Sequence, residues 1–437
     1  MQTSPLIIGA LFSASAFIFP GLSIADFSAS LEQELALNSS NHKQKFETLF
    51  TPEWNIALSD DISMTFIGQA RWDNAKKLSN PEGSHYSAPD NYAATNGHIY
   101  YSNSSEVSIR EWYIDTESLG AYWRLGKQQV VWGQADGLKV LDVVNPQSYR
   151  EFILDDFEDS RIPLWMVNTE IPIGDNSNLQ VVWIPDLTYH AFAEPGTEYE
   201  VSSPLFRPHL PQGIPLVGFH EDKPSSPIKD SDIGLQYSTF YQGWDLTLNY
   251  LYHYLDTPVL YQQASTNGVT LSSEYERSHL AGFTASNAFG SFTLRTEVGY
   301  RSDTYHLSLA KNGIHQSSEL SAVIGVDWQG LEDTMMSIQW FQSHLPEHNA
   351  SVVRPQNNHI VSLLLKRSFV NETWNLEILA LHGFDQRDGS VQSKLRYMLE
   401  SNVSIWIGSD TFYGNKNGLF GQFNHKDRIL FGAEWSF

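Results

Sequence analysis

Residues 244–254 read WDLTLNYLYHY. Trp244, Leu246, Leu248, Tyr250, Tyr252 and Tyr254 alternate with Asp245, Thr247, Asn249, Leu251 and His253. Successive side chains of a strand point to opposite sides, so this segment has one apolar, aromatic face and one largely polar face. The same period of two recurs at Phe292, Leu294, Thr296, Val298 and Tyr300 against Thr293, Arg295, Glu297, Gly299 and Arg301. It recurs again over 319–328 and 62–72. Each run is about ten residues long, more than the roughly 5–6 of a soluble strand and close to the 9–11 or so that cross a bilayer when tilted. Aromatics stand at the run ends, where a membrane interface places them.

Read in this way the chain holds about 18 such segments, an even number as single-chain outer-membrane barrels require. The segment near 27–37 is the weakest, and its loss with one neighbour would leave about 16. Tight connections alternate with long ones along the whole chain, as expected when both termini lie in the periplasm and the long loops lie outside. A soluble β-sandwich has no reason to show that parity. The expectation is an all-β, transmembrane antiparallel barrel. The final strand, with Phe431, Trp435 and Phe437 on its apolar face, resembles the C-terminal signal read by the barrel assembly machinery.

Composition narrows the function classes. Only 18% of the 437 residues are charged, which excludes a highly charged disordered chain. The 50 acidic residues against 27 basic ones exclude nucleic acid as a natural partner. Cysteine is absent, so thiol catalysis and thiolate metal sites are excluded together. Met1–Ala25 carries no Lys, Arg, Asp or Glu, and its apolar run ends in Ser23-Ile24-Ala25. This is the form of a signal peptide cleaved after Ala25, although the n-region lacks its usual basic residue. One domain, residues 26–437, is then expected in the outer membrane, its outer face against lipid and lipopolysaccharide.

Three long loops are expected: Asp73 to Ser105, Val130 to Ile162 and Pro185 to Asp230. The second is the third external loop, the place where general porins fold a loop inward. Pro146 is suited to start a short helix over Gln147–Leu154, with Tyr149, Phe152 and Ile153 on its apolar face. Together with the strand before it, this loop contains WRLGKQQVVWGQADGLKVLDVVNP, followed by an acidic stretch and SRIPLW. That segment, clearest from Leu125 to Pro163, resembles the domain-of-unknown-function 1302 family of Gram-negative outer-membrane proteins. The resemblance implies a β-barrel and an outer-membrane location; it supplies no substrate and no catalytic residue.

The constriction candidates follow from placement. In the loop they are Trp132, Asp136, Asp142, Arg150 and Arg161, with the acidic cluster Asp155, Asp156, Glu158 and Asp159. That cluster suits a solvated loop face, a cation-selective lining or a calcium site, though the spacing of a calcium-binding EF-hand loop is absent. Lys127 and Trp132 suit either packing or solute contact. On the wall, Arg71, Arg110, Arg124, Arg295 and Arg301 are expected to face inward with Glu111 and Glu297, either bracing the wall or setting a field across the pore. His209, His220, His344, His348 and His359 show no metal-ligand spacing, so no metal or other cofactor is expected. No nucleophile elbow marks an enzyme. Two functions stand ahead of a third, an outer-membrane lipid-modifying enzyme. One is a porin-like channel for a small or amphipathic solute, with selectivity set by the third loop; the other is a plugged barrel that partners an envelope export or lipid-handling system.

Overall fold

The computed structural model describes residues 26–39, 42–78, 91–208, 214–310 and 312–437. The expected signal peptide, its cleavage after Ala25, and His209 lie outside the described residues. Eighteen strands close into one antiparallel barrel. They are β1 (Asp26–Asn38), β2 (Lys43–Ser59), β3 (Ile62–Asp73), β4 (Ser105–Ser118), β5 (Ala121–Gln128), β6 (Leu164–Ile173), β7 (Ser177–Ile184), β8 (Asp232–Tyr241) and β9 (Trp244–Tyr254), then β10 (Arg277–Phe289), β11 (Phe292–Leu307), β12 (Ile314–Leu331), β13 (Thr334–His344), β14 (Asn357–Phe369), β15 (Trp374–Gly383), β16 (Asp388–Glu400), β17 (Val403–Gly414) and β18 (Arg428–Ser436).

Each strand pairs with its sequence neighbours, and β1 pairs with β18 from Ser30↔Ser436 to Asn38↔Arg428. The terminal Phe437 completes that seam, exchanging backbone hydrogen bonds with Ala29 at 2.8 and 2.9 Å. Closure matters because an open edge in hydrocarbon would leave N–H and C=O groups unsatisfied.

Alternation decides what each face meets. Leu248, Ile324, Ile338, Leu363, Ile405 and Phe431 are exposed on the outside, whereas Asn249, Glu297, Asp327, Gln339 and Asp410 are buried inside. Apolar side chains outside and polar ones inside are the arrangement of a barrel solvated by lipid. The tight connections are two to four residues long, the longest being 370–373. Gln242 and Gly243 turn β8 into β9 with φ of 49° and 87°, the double positive φ that a two-residue hairpin needs. At the long-loop end, Leu216–Asp222, Gly268–Glu274 and Val259–Ser265 form a small separate sheet. Sequence periodicity did not register this sheet, because its strands are short and lie within loops.

Candidate functional site

The third external loop leaves the wall after β5, whose backbone is distorted at Gly126. Gly126 has φ of 138°, and a Cβ there would stand 2.3 Å from the carbonyl oxygen of Trp112. Gln128, wholly buried, donates from Nε2 to the carbonyls of Arg124, Gly126 and Met166. Asn145 then clamps the loop's neck. Its Oδ1 accepts from Val130 N at 2.8 Å, while its Nδ2 donates to Ile162 O at 3.0 Å and Gln128 O at 3.3 Å. One side chain thereby ties both ends of the loop together, which gives the Gly-Lys-Gln and Asn-Pro segments a structural role.

From that neck the loop crosses the lumen to the far wall. Trp132 is 1% exposed, packed near Val182 and Gly234, and its indole donates to Gln180 at 2.8 Å. Gln134 N bonds Glu297. Asp136 pairs with Arg295 and accepts from Gln339 at 2.9 Å. Arg295 also holds Asp327 at 2.8 Å. Leu141 fits over Gly282 and Gly299, where an added Cβ would come within 2.5 and 3.0 Å of it. Asp142 is buried with Arg161 at 2.7 Å and Lys139 at 3.5 Å. Burial holds the Lys139 ammonium down to about 8, with Asp142 opposing that effect.

The expected helix over Gln147–Leu154 does not form; a single turn at Phe157–Ser160 does. Ser148 and Tyr149 instead pair in parallel with Ala191 and Phe192, and Phe152 adopts φ of 58°. These contacts use Tyr149 and Phe152 on different surfaces, and no helical face remains. Phe152 enters an aromatic cluster, 4.7 Å from Phe423 and 6.1 Å from Phe412. Phe423 and Phe420 come from the connection after β17, which also folds inward. Asp388 holds it by accepting from Phe420 N and Gly421 N at 2.7 and 3.0 Å. The sequence reading missed this second inward loop; three phenylalanines within Phe412–Phe423 were the available signal.

On the near wall, Arg150 reaches Glu47 at 3.3 Å, and Glu151 reaches Lys45 at 3.5 Å and Arg428 at 3.0 Å. These cations hold the Glu151 carboxyl well below its usual range although it is buried. Burial, reinforced by Glu151, pushes the Asp155 carboxyl up.

The loops thus divide the lumen. An apolar cluster that includes Trp132, Leu141, Phe152, Leu251 and Leu381 fills the far side. Against β1 to β4 lies a cavity of about 820 Å³, lined by seven Lys and Arg and six Asp and Glu. Neither sign dominates that lining.

The structure brings Arg71, Arg150, Asp155, Asp159 and Arg161 to this cavity and leaves Asp156 and Glu158 off it. Trp132, Asp136, Arg295 and Glu297 are taken up in docking the loop on the wall, and Asp142 pairs with Arg161 and Lys139 inside the loop. Arg124 sits beside the short-turn end, paired with Asp115 at 2.7 Å and stacked on Tyr113. Among the other inward arginines, Arg71 pairs with Glu47 and Glu106, Arg110 with Asp159, and Arg295 with Asp136 and Asp327, so they engage separate partners on wall and loop. Among the described residues, no group of three or more His, Asp or Glu could hold a metal.

Solved structures of outer-membrane channels share the fold. The Pseudomonas aeruginosa protein OpdK is 8% identical with a TM-score of 0.54, over 95% of this chain and 99% of that one. OccK2 (OpdF) of the same organism, solved in complex with glucuronate, is 9% identical with a TM-score of 0.53, over 94% and 98%. OccK5 (OpdH), also from Pseudomonas aeruginosa, is 10% identical with a TM-score of 0.51, over 95% and 99%. At such identities the likeness is one of fold: a porin-like, 18-stranded β-barrel. A search of curated protein sequences gave no match. Residues 38–372 match the family described as protein of unknown function (DUF1302), most of the barrel and far more than the loop segment that first suggested it, and the chain belongs to that family.

Proposed function

We propose that the protein is an outer-membrane channel that passes a small polar or amphipathic solute along the β1 to β4 side of its lumen. The observation that carries this reading is the cavity of about 820 Å³, kept open beside a loop docked on the opposite wall. A barrel serving only as a scaffold would gain by filling that space, since buried charges cost solvation unless water or a ligand meets them. Lining of both signs suits a solute with polar groups of both kinds better than a simple cation. The structural neighbours, one of them crystallised with glucuronate and another, OpdK, with vanillate, support a small organic solute in particular.

Planar-bilayer recording of the refolded barrel tests the proposal. Discrete conductance is expected. Neutralising Asp155 and Asp159 together should move the reversal potential toward anions, and neutralising Asp156 and Glu158 should leave it within error. Absence of conductance, even after deletion of 134–159, would sink the channel reading. That outcome would favour the plugged barrel acting with an export partner, for which the apolar seal across the far side of the lumen is the supporting observation.

A further inference from the structure

The barrel wall has a break. β4 pairs with β5 only from Trp112↔Lys127 to Ser118↔Ala121. Farther up on that side, Tyr100 and Tyr101 pair with Val107 and Glu106, and Ile99 N donates to Val107 O at 2.8 Å. Between the two pairings, residues 108–111 have no strand partner on that side among the described residues. A bulge at Arg110, opposite the step from Ile67 to Gly68, distorts the strand at the same level. Unpaired backbone within a membrane wall is costly unless another group satisfies it. Here Lys127 Nζ supplies one hydrogen bond, to Ile109 O at 2.6 Å.

That bond uses one of the three hydrogens of the ammonium. Lys127 is 5% exposed and has no ion pair among the described residues. Asp186, just beyond β7, is already occupied by the backbone N–H groups of Trp165 and Thr188 and the Thr188 hydroxyl. Lys127 and Arg110 line the large cavity together with Ile109, Ile162 and Pro163. Outside the break, Ile99, Tyr100 and Trp112 are exposed, and Trp165 meets the Trp112 ring edge-on at 6.0 Å. A charged inner end and an apolar outer margin thus lie on the two sides of the unpaired stretch.

We infer that this break is a side port between the cavity and the membrane, and that it takes a single-chain amphiphile with an anionic head. The head meets Lys127, with Arg110 beside it, and the chain crosses Ile109, Ile162 and Pro163 toward the aromatic margin. The inference rests on the cavity being the solute path. The segment from Asn91 to Tyr101 covers the port. It is held by Trp165 Nε1 to Thr95 O at 2.9 Å, and by Asn96 Nδ2 to Pro163 O at 2.9 Å and to Thr188 Oγ1 at 3.1 Å.

The test uses the full barrel in phosphatidylcholine nanodiscs with doxyl-labelled stearate, followed by electron paramagnetic resonance. A saturable, motionally restricted component is expected for the acid and not for its methyl ester. Lys127→Gln, which keeps a donor for Ile109 O, should weaken it about tenfold, equivalent to about 1.4 kcal/mol. The native chain has no cysteine, so within one molecule an Asn96→Cys, Thr188→Cys pair has no other thiol to bond. When oxidised, it should slow stearate entry at least tenfold, and reduction should restore the rate. Equal signals for acid and ester, or for wild type and Lys127→Gln, would identify ordinary annular lipid and overturn the site. Unchanged entry in the oxidised pair would overturn the port. If Lys127→Gln fails to fold, Arg110→Gln takes its place. Conductance recorded on the same preparations reports separately on the channel reading, because its absence leaves the binding result standing.

Discussion

The indole of Trp132 occupies the place where Gly234 has no side chain: a Cβ on Gly234 would stand 2.7 Å from the edge of the ring. Loop and wall are therefore fitted to each other at this point, and the fit can be broken from either side. Gly234→Val should force Trp132 out at a cost of about 1–3 kcal/mol. Trp132→Ala should cost about 3–5 kcal/mol through the cavity it leaves. Because both remove the same contact, the double variant should lose less than the sum. Thermal unfolding of the refolded barrels gives all the terms, and strict additivity would mean that the loop is not seated as described.

Asn145 offers a separate test of the neck. Asn145→Ala leaves Val130 N and Ile162 O without their partner, a loss of about 1–3 kcal/mol for buried groups. Since that one side chain bonds both ends of the loop, the expected phenotype is more than reduced stability. Single-channel recordings should show larger and more frequent current fluctuations, together with faster proteolysis between 130 and 162. A quiet channel with only a lowered melting point would mean that the loop is held by its far-wall contacts alone.

The second inward loop predicts coupling between residues distant in sequence. Phe152 and Phe423 have ring centroids 4.7 Å apart. Phe152→Ala should destabilise by about 3–5 kcal/mol, and Phe423→Ala by a similar amount. Protease sensitivity should appear in both loops whichever residue is changed. Sensitivity confined to the mutated loop would show that the two pack independently.

How much of this could be read from the chain follows from what each part of the fold depends on. Strand number, inward and outward faces and turn parity are local properties, so Trp244–Tyr254 and its counterparts announce them through a period of two. The docking of the third loop depends on pairs such as Asp136 with Arg295 and Leu141 with Gly282, separated by well over a hundred positions, and periodicity carries no record of such pairs. One trace was present all the same. Gly234, Gly282 and Gly299 fall on inward positions of otherwise regular strands, where glycine marks a close approach by another part of the chain. The acidic cluster divided for a related reason: Asp155 and Asp159 reach the cavity, Asp159 pairing with Arg110, and four carboxylates within five positions give no indication of which those are.

His190 provides the pH dependence. It lies in the fourth external loop, where its Nδ1 accepts a hydrogen bond from Gln147 N at 2.9 Å. That contact requires a neutral ring. Burial, with Arg301 and Lys139 adding to it, holds the imidazole down to about 3. An unfolded chain would take up the proton near 6.5, so between about 6.5 and 3 the unfolded state binds a proton that the folded state refuses. Stability is then fully present above 6.5 and falls as the pH drops through that window, by as much as about 1.4 kcal/mol per pH unit. His190→Gln can bond Gln147 N through its side-chain carbonyl and does not titrate. It should therefore flatten the decline in melting temperature between pH 6 and 4 while changing the value at pH 7.5 much less. If wild type and His190→Gln lose stability in parallel on acidification, the loop is not anchored through a neutral His190, and the acid sensitivity belongs to the carboxylates lining the lumen.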